Sequence, residues 1–185
     1  RYAMEEVDQG GAEFTLAHLS DVHLSPLPKL DLRHWNLKRL LGWLNWQHRR
    51  RHVYSRDVLD RLVEDLRAQN PDHIAVTGDL ANLGLPVEHA IALDWLGTLG
   101  TPDRVTVIPG NHDIYSGIGA DIGTARWLPH MSANSAAADY AIAEALSGAH
   151  SFPFVRRFGR LAIIALNSAV TTRPMYAIGR LGREQ

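Results

Sequence analysis

The 185-residue chain has no cysteine, which removes disulfides and thiolate metal sites and fits a reducing compartment. A cytoplasmic location is the expectation, peripheral at a membrane if the insertion described below meets lipid. No apolar run approaches the roughly 20 residues of a spanning helix, so no transmembrane segment is expected. With 19 basic and 20 acidic residues, the chain lacks the one-signed excess that draws a whole protein to nucleic acid or anionic lipid. One absence is local: from Arg33 to Arg56 there is no Asp or Glu, against Arg33, Lys38, Arg39, Arg49, Arg50, Arg51 and Arg56. The 45% hydrophobic content is enough, at this length, for one domain with its own core.

Three apolar, β-rich runs, Phe14 to Leu19, Asp72 to Thr77 and Arg104 to Pro109, read as strands. Between them, Asp57 to Ala68 predicts an amphipathic helix, with Leu59, Leu62, Val63 and Leu66 on one face and Ser55 as its cap. A second helix is expected from Pro86, packing Ile91, Leu93, Trp95 and Leu96 and stopping at Gly97 and Gly100. Ala136 to Leu146 is helical by propensity, and Leu161 to Leu166 is an apolar strand. Alternation of strands and helices argues a parallel-type sheet flanked by helices, an α/β fold. Residues 1–12 are polar and Gly-rich and read as a flexible tail.

Each of the first three strands runs into a polar motif: Asp21-Val22-His23, Gly78-Asp79-Leu80-Ala81-Asn82 and Gly110-Asn111-His112-Asp113. The carboxyl ends of strands are where open α/β sheets bind ligands. Carboxylate, amide oxygen and imidazole together suit Mn, Fe, Zn or Mg. Taken singly, an Asp at a strand end is a cap or turn residue and an Asn-His pair is surface polarity. Three such motifs after three strands are not explained that way. They point to a two-metal phosphoester hydrolase, with Asn82, Leu83 and Gly84 left as loop around Asp79.

Asp-x-His, then Gly-Asp-x-x-Asn, then Gly-Asn-His-Asp, in that order, resembles the calcineurin-like metallophosphoesterase superfamily. Within it the pattern is most similar to bacterial enzymes of the class III cyclic-nucleotide phosphodiesterase type. The resemblance implies an α/β/β/α sandwich, of which this chain would carry the first sheet and part of the second. It implies Asp21 and His23 as ligands of one metal, Asp79 as the carboxylate bridging both, and Asn111 as a ligand of the second. It gives His112 the phosphoryl oxygens and leaving alcohol, with Asp113 holding that ring in one tautomer. The cofactors implied are two metal ions, with a metal-bound hydroxide as nucleophile. The substrate implied is a small phosphoester such as a cyclic nucleotide. Alternatives are a phosphatase or pyrophosphohydrolase on a lipid-linked phosphoester, and a non-catalytic metal- or phosphate-binding scaffold.

Members of the superfamily bring further histidines to the metals downstream of Gly-Asn-His-Asp. Here only His130 and His150 follow, neither in such a context, and both read as structural or surface residues. The chain starts without Met and stops in a Gly- and Arg-rich segment, so residues 13–185 read as the N-terminal part of a longer domain that would hold metal weakly by itself.

The segment from about 27 to 54 reads as a basic, Trp-rich helical insertion. If Trp35 to His48 is one helix, Leu37, Leu40, Leu41 and Leu44 share one face and are expected to dock on the domain. Trp35, Arg39, Trp43 and Trp46 then face outward, against a still unseen part of the protein, a membrane surface or a lipid phosphate. Nucleic acid ranks below these, because the near-neutral chain lacks a broad basic face.

Overall fold

The computed structural model describes residues 13–29, 31–115, 123–137, 152–173, 176–183 and 185. Three strands, β1 (Leu16–Leu19), β2 (His73–Val76) and β3 (Val105–Val107), form a parallel sheet in the order β1-β2-β3. Leu16 pairs with His73 and Ile74 with Val105, so β2 is central and its two neighbours end level with it. Val76, Val105 and Val107 are almost fully buried, as a sheet covered on both faces requires. Each such side chain contributes about 1.5–3 kcal/mol by leaving water.

Helix α2 (Arg56–Gln69) follows the predicted span and buries Leu59, Val63 and Leu66, while Leu62 is exposed. Ser55 holds the N-cap position in extended backbone without a side-chain cap bond, and Asn70 ends the helix in the left-handed region before Pro71. Helix α3 (Pro86–Leu99) starts on proline, runs through Gly97 and stops at Gly100. Ala92, Trp95, Leu96 and Leu99 carry its packing, with Ile91 and Leu93 half-buried at the margin. The buried Glu88 at its third position accepts the Asn82, Leu83 and Leu85 amides at 2.7–3.0 Å, tying the loop after β2 to the helix start.

Strands β4 (Phe154–Phe158) and β5 (Leu161–Ala165) make an antiparallel hairpin, the beginning of a second sheet. Phe158 packs on Phe14 and His73, joining the sheets at the start of β2. Buried Arg156 donates to the carbonyls of Ser132, Pro129 and Val105, with the charge of Asp103 acting in the same direction. These two sheets with their helices are the α/β architecture expected. The predicted helix from Ala136 to Leu146 lies, beyond the short 3-10 turn Ser135–Ala137, outside the described residues, as does the tail 1–12.

Helix α1 (Leu37–His48) is present in the insertion, but its faces are the reverse of the expectation. Leu37 is 70% exposed, and Leu40, Leu41 and Leu44 are exposed as well, while Arg39 is 3% exposed. Arg39 donates to the carbonyls of Leu83, Gly84 and His34 at 2.9–3.2 Å. Three charge-assisted bonds offset its desolvation, which leucine could not do against bare carbonyls. Gly42 sits on the same face, where a Cβ would strike the Tyr115 hydroxyl and Leu83. Trp35 and Trp43 are half-buried edge to face, 5.9 Å between ring centres, and Trp46 is half-buried too. Arg39 is therefore withdrawn from the proposed lipid contact, and the face left outward is leucine. Among the described residues no helix is long and apolar enough to cross a membrane.

Candidate metal centre

The three polar motifs leave the sheet side by side because the parallel pairing carries on past the strands. Asp21 donates its amide to the Gly78 carbonyl, His23 to that of Asp79, and Leu24 to that of Leu80, at 2.9–3.2 Å. Along this extension Asp21, His23 and Asp79 take left-handed backbone, at φ 54°, 40° and 54°. Residues with a side chain adopt that region at a cost of about 1–3 kcal/mol each, and such strain concentrates at functional sites. The second and third loops touch directly: a Cβ on Gly110 would land on the Asp79 amide and carboxylate.

Inside this frame His23, Asp79 and His112 each offer a ligand atom, all within 4.8 Å of one another. His23 Nδ1 donates to the Ala81 carbonyl at 3.0 Å and His112 Nδ1 to the Asn82 carbonyl at 2.7 Å. Both rings are therefore held with Nε2 unprotonated and free. Burial, then the charges of His112 and Arg50, lower His23 to about pKa 4, and burial followed by Arg50 lowers His112. Burial raises Asp79 against the His112 amide, which donates to its Oδ1 at 2.8 Å. Two neutral imidazoles and a desolvated carboxylate converge with lone pairs outward.

Residues 14–166 match the Calcineurin-like phosphoesterase family. The chain belongs to that family. Over 98 residues it is also 37% identical to a glycerophosphodiester phosphodiesterase, GpdQ, of Enterobacter lignolyticus strain SCF1. That match spans 53% of this chain and 29% of the relative.

Calcineurin-like phosphoesterases use divalent metal ions, and the cluster fits one on its own chemistry. A hard cation would be matched by the Asp79 carboxylate and the borderline His23 nitrogen, with the His112 nitrogen beside them. It would also compensate the desolvated Asp79 carboxylate, which the His112 amide and the field of Arg50 offset only in part. Asp21 and Asn111 lie outside the tight cluster but line, with Asp79, an adjoining cleft of about 310 Å³. His130 is buried in the 3-10 helix Thr124–His130 and bonded to the Val105 carbonyl, away from the site, and His150 is outside the described residues.

Asp113 has a different job from the one expected. Its buried carboxylate does not hold the His112 ring. It accepts the amides of Asp79, Ala81 and Gly110, each at 2.8 Å, and so clamps the second and third motifs together. Burial pushes it up to about pKa 7 against the pull of those three N–H groups. The ring is oriented instead by a backbone carbonyl, which no side-chain pattern can announce. Arg50 was also missed as a site residue: its guanidinium lies 3.5 Å from His112 Nδ1. The run Arg49-Arg50-Arg51 was the one available signal, and only the fold brings it to the third motif.

Proposed function

We propose that the protein is a metal-dependent phosphoester hydrolase that cleaves a small phosphodiester, cyclic nucleotides included, at a dinuclear centre. The convergence of His23, Asp79 and His112 within 4.8 Å carries this reading. Asp21 and His23 would hold one ion, Asn111 the other, and Asp79 both. Bound there, divalent ions would supply Lewis-acid polarisation of the phosphoryl oxygens and a nucleophile at neutral pH. Asp113 keeps the loops in register, the Ala81 carbonyl would keep the His23 ring turned to its ion, and the Asn82 carbonyl the His112 ring to the phosphoryl group. His112 rests neutral, and a phosphoryl anion opposite Nε2 favours its protonated form, which then offers a proton to the leaving oxygen. The similarity to a glycerophosphodiester phosphodiesterase supports a diester over a monoester. A cytoplasmic setting suits the cysteine-free chain. The exposed leucine row of α1 makes a lipid-linked phosphoester the second reading.

The test is hydrolysis of bis(p-nitrophenyl) phosphate with and without Mn²⁺, beside His112→Ala. Metal-dependent turnover that falls about 10²–10⁴-fold in the variant is expected, the range for loss of a general acid. Metal binding without turnover by the wild type favours the scaffold alternative. In the same assay, a lyso-phospholipid diester cleaved faster than the soluble ester supports the lipid reading.

A further inference from the structure

A second cavity, of about 580 Å³, opens directly beside the cleft that Asp21 and Asp79 line. Asn111 and Ala177 border both spaces, while neither Asp21 nor Asp79 reaches the larger one. Its wall includes Arg49, Arg50, Arg173 and His112, and among the described residues no Asp or Glu lines it. Lys38 at its edge is already committed, donating to the Thr172 carbonyl with its ammonium over the Tyr115 ring. Among the described residues, Arg49, Arg50 and Arg173 pair with no carboxylate, unlike Arg56, which bonds Asp60. Arg50 is half-buried and Arg49 and Arg173 are exposed, so the three leave the pocket cationic, and guanidinium planes match phosphate in a bidentate fork.

The reacting phosphoryl group belongs at the metal cleft, so the arginines face some other part of the substrate. Resting on the diesterase reading above, we infer that the preferred substrate is a phosphodiester bearing a second phosphate-class anion, seated in the pocket between α1 and residues 172–173 and 176–177. The insertion would then be a specificity element. Its acid-free stretch, docked through Arg39 and Gly42, delivers Arg49 and Arg50 to the pocket.

Two chromogenic diesters separate the alternatives: the p-nitrophenyl ester of thymidine 5′-phosphate, and the same ester with a 3′-phosphate. With Mn²⁺, kcat/KM should favour the second by about tenfold or more, the scale of one good charge-assisted contact. The preference should shrink as KCl rises, because part of the pocket is open to screening. In the Arg49→Ala/Arg173→Ala double variant the ratio between the two esters should fall toward one. Both residues are exposed, so this variant is expected to fold normally. Calorimetric binding of thymidine 3′,5′-bisphosphate to the metal-free protein gives a readout independent of turnover. Binding that the double variant loses supports the pocket even if neither ester is cleaved, in which case the diesterase reading alone fails. Equal kcat/KM for the two esters, or bisphosphate binding undiminished in the double variant, overturns the inference.

Discussion

The loops after β1, β2 and β3 and the insertion helix α1 are both rich in polar residues, and they are built on opposite plans. In the loops, backbone does the positioning: amides and carbonyls of neighbouring strands continue to pair, and Asp113 gathers three N–H groups. The functional side chains are then spared for ligands. In the helix, side chains do the positioning, because Arg39 must span to three carbonyls before the element has a place to sit. A site made by backbone can lose a functional side chain and keep its shape. An element held by side chains, Arg39 first and Lys38 and Tyr115 beside it, cannot.

The sharpest break of that comparison is Asp79→Asn. Asparagine tolerates the left-handed backbone at φ 54° and keeps an oxygen for the His112 amide, so the loop should keep its conformation. Charge at the proposed metal centre is lost, and kcat should fall about 10³-fold, equivalent to several kcal/mol of transition-state stabilisation. Stability of the metal-free protein should hold or rise, since the replaced carboxylate is a buried one that burial disfavours. Urea unfolding without metal, paired with steady-state kinetics, checks both halves. A variant that retains activity removes Asp79 from the centre, and one that unfolds shows that the loop depends on its charge.

The contrast also explains what could be read from the chain alone. That Asp21, His23, Asp79 and Asn111 stand at one end of the sheet was legible, because the strands before them fix that end. The role of Asp113 was not, since amide donors look identical in every sequence. Helix α1 was readable as a helix with two faces, and misread as to which faces inward. Hydrophobicity favours burying Leu37, Leu40, Leu41 and Leu44, but the surface it meets is a row of loop carbonyls and a tyrosine, which arginine and glycine satisfy better. Periodicity reports the faces of a helix, and the partner decides between them.

Arg39→Ala is the matching break on the other side. Removing three charge-assisted bonds from a buried position leaves the Leu83, Gly84 and His34 carbonyls without this partner, and should cost about 2–4 kcal/mol. A surface arginine, as the sequence pattern suggested, would cost within about 0.5 kcal/mol. The denaturation midpoint in urea decides between the two values. Loss of α1 docking should also weaken whatever Arg49 and Arg50 contribute beside His112, so KM should rise more than kcat falls.

Strand β2 carries a smaller version of the same comparison within itself. Its far end leads to Asp79, while its first residue, His73, is fully buried, its Nε2 2.7 Å from the Thr106 hydroxyl and its ring against Phe158. Burial, then the charge of Arg156, lowers His73 from its usual 6.5 to about 4. The sign follows directly: between pH 6.5 and 4 the unfolded chain binds a proton at this site that the folded protein refuses. The contribution of His73 to stability is therefore complete above pH 6.5 and is lost as the pH falls toward 4, by up to about 1.4 kcal/mol per pH unit. His73→Phe removes that proton while keeping a ring beside Phe158. Its unfolding free energy should fall less steeply than that of the wild type across this window, by close to one proton, with the rate of diester hydrolysis at pH 7.5 unaltered, because His73 touches none of the three motifs. Equal slopes for the two proteins would show that His73 accepts its proton in the folded state, and would leave the neutral histidines at the metal end of the sheet as the acid-sensitive ones.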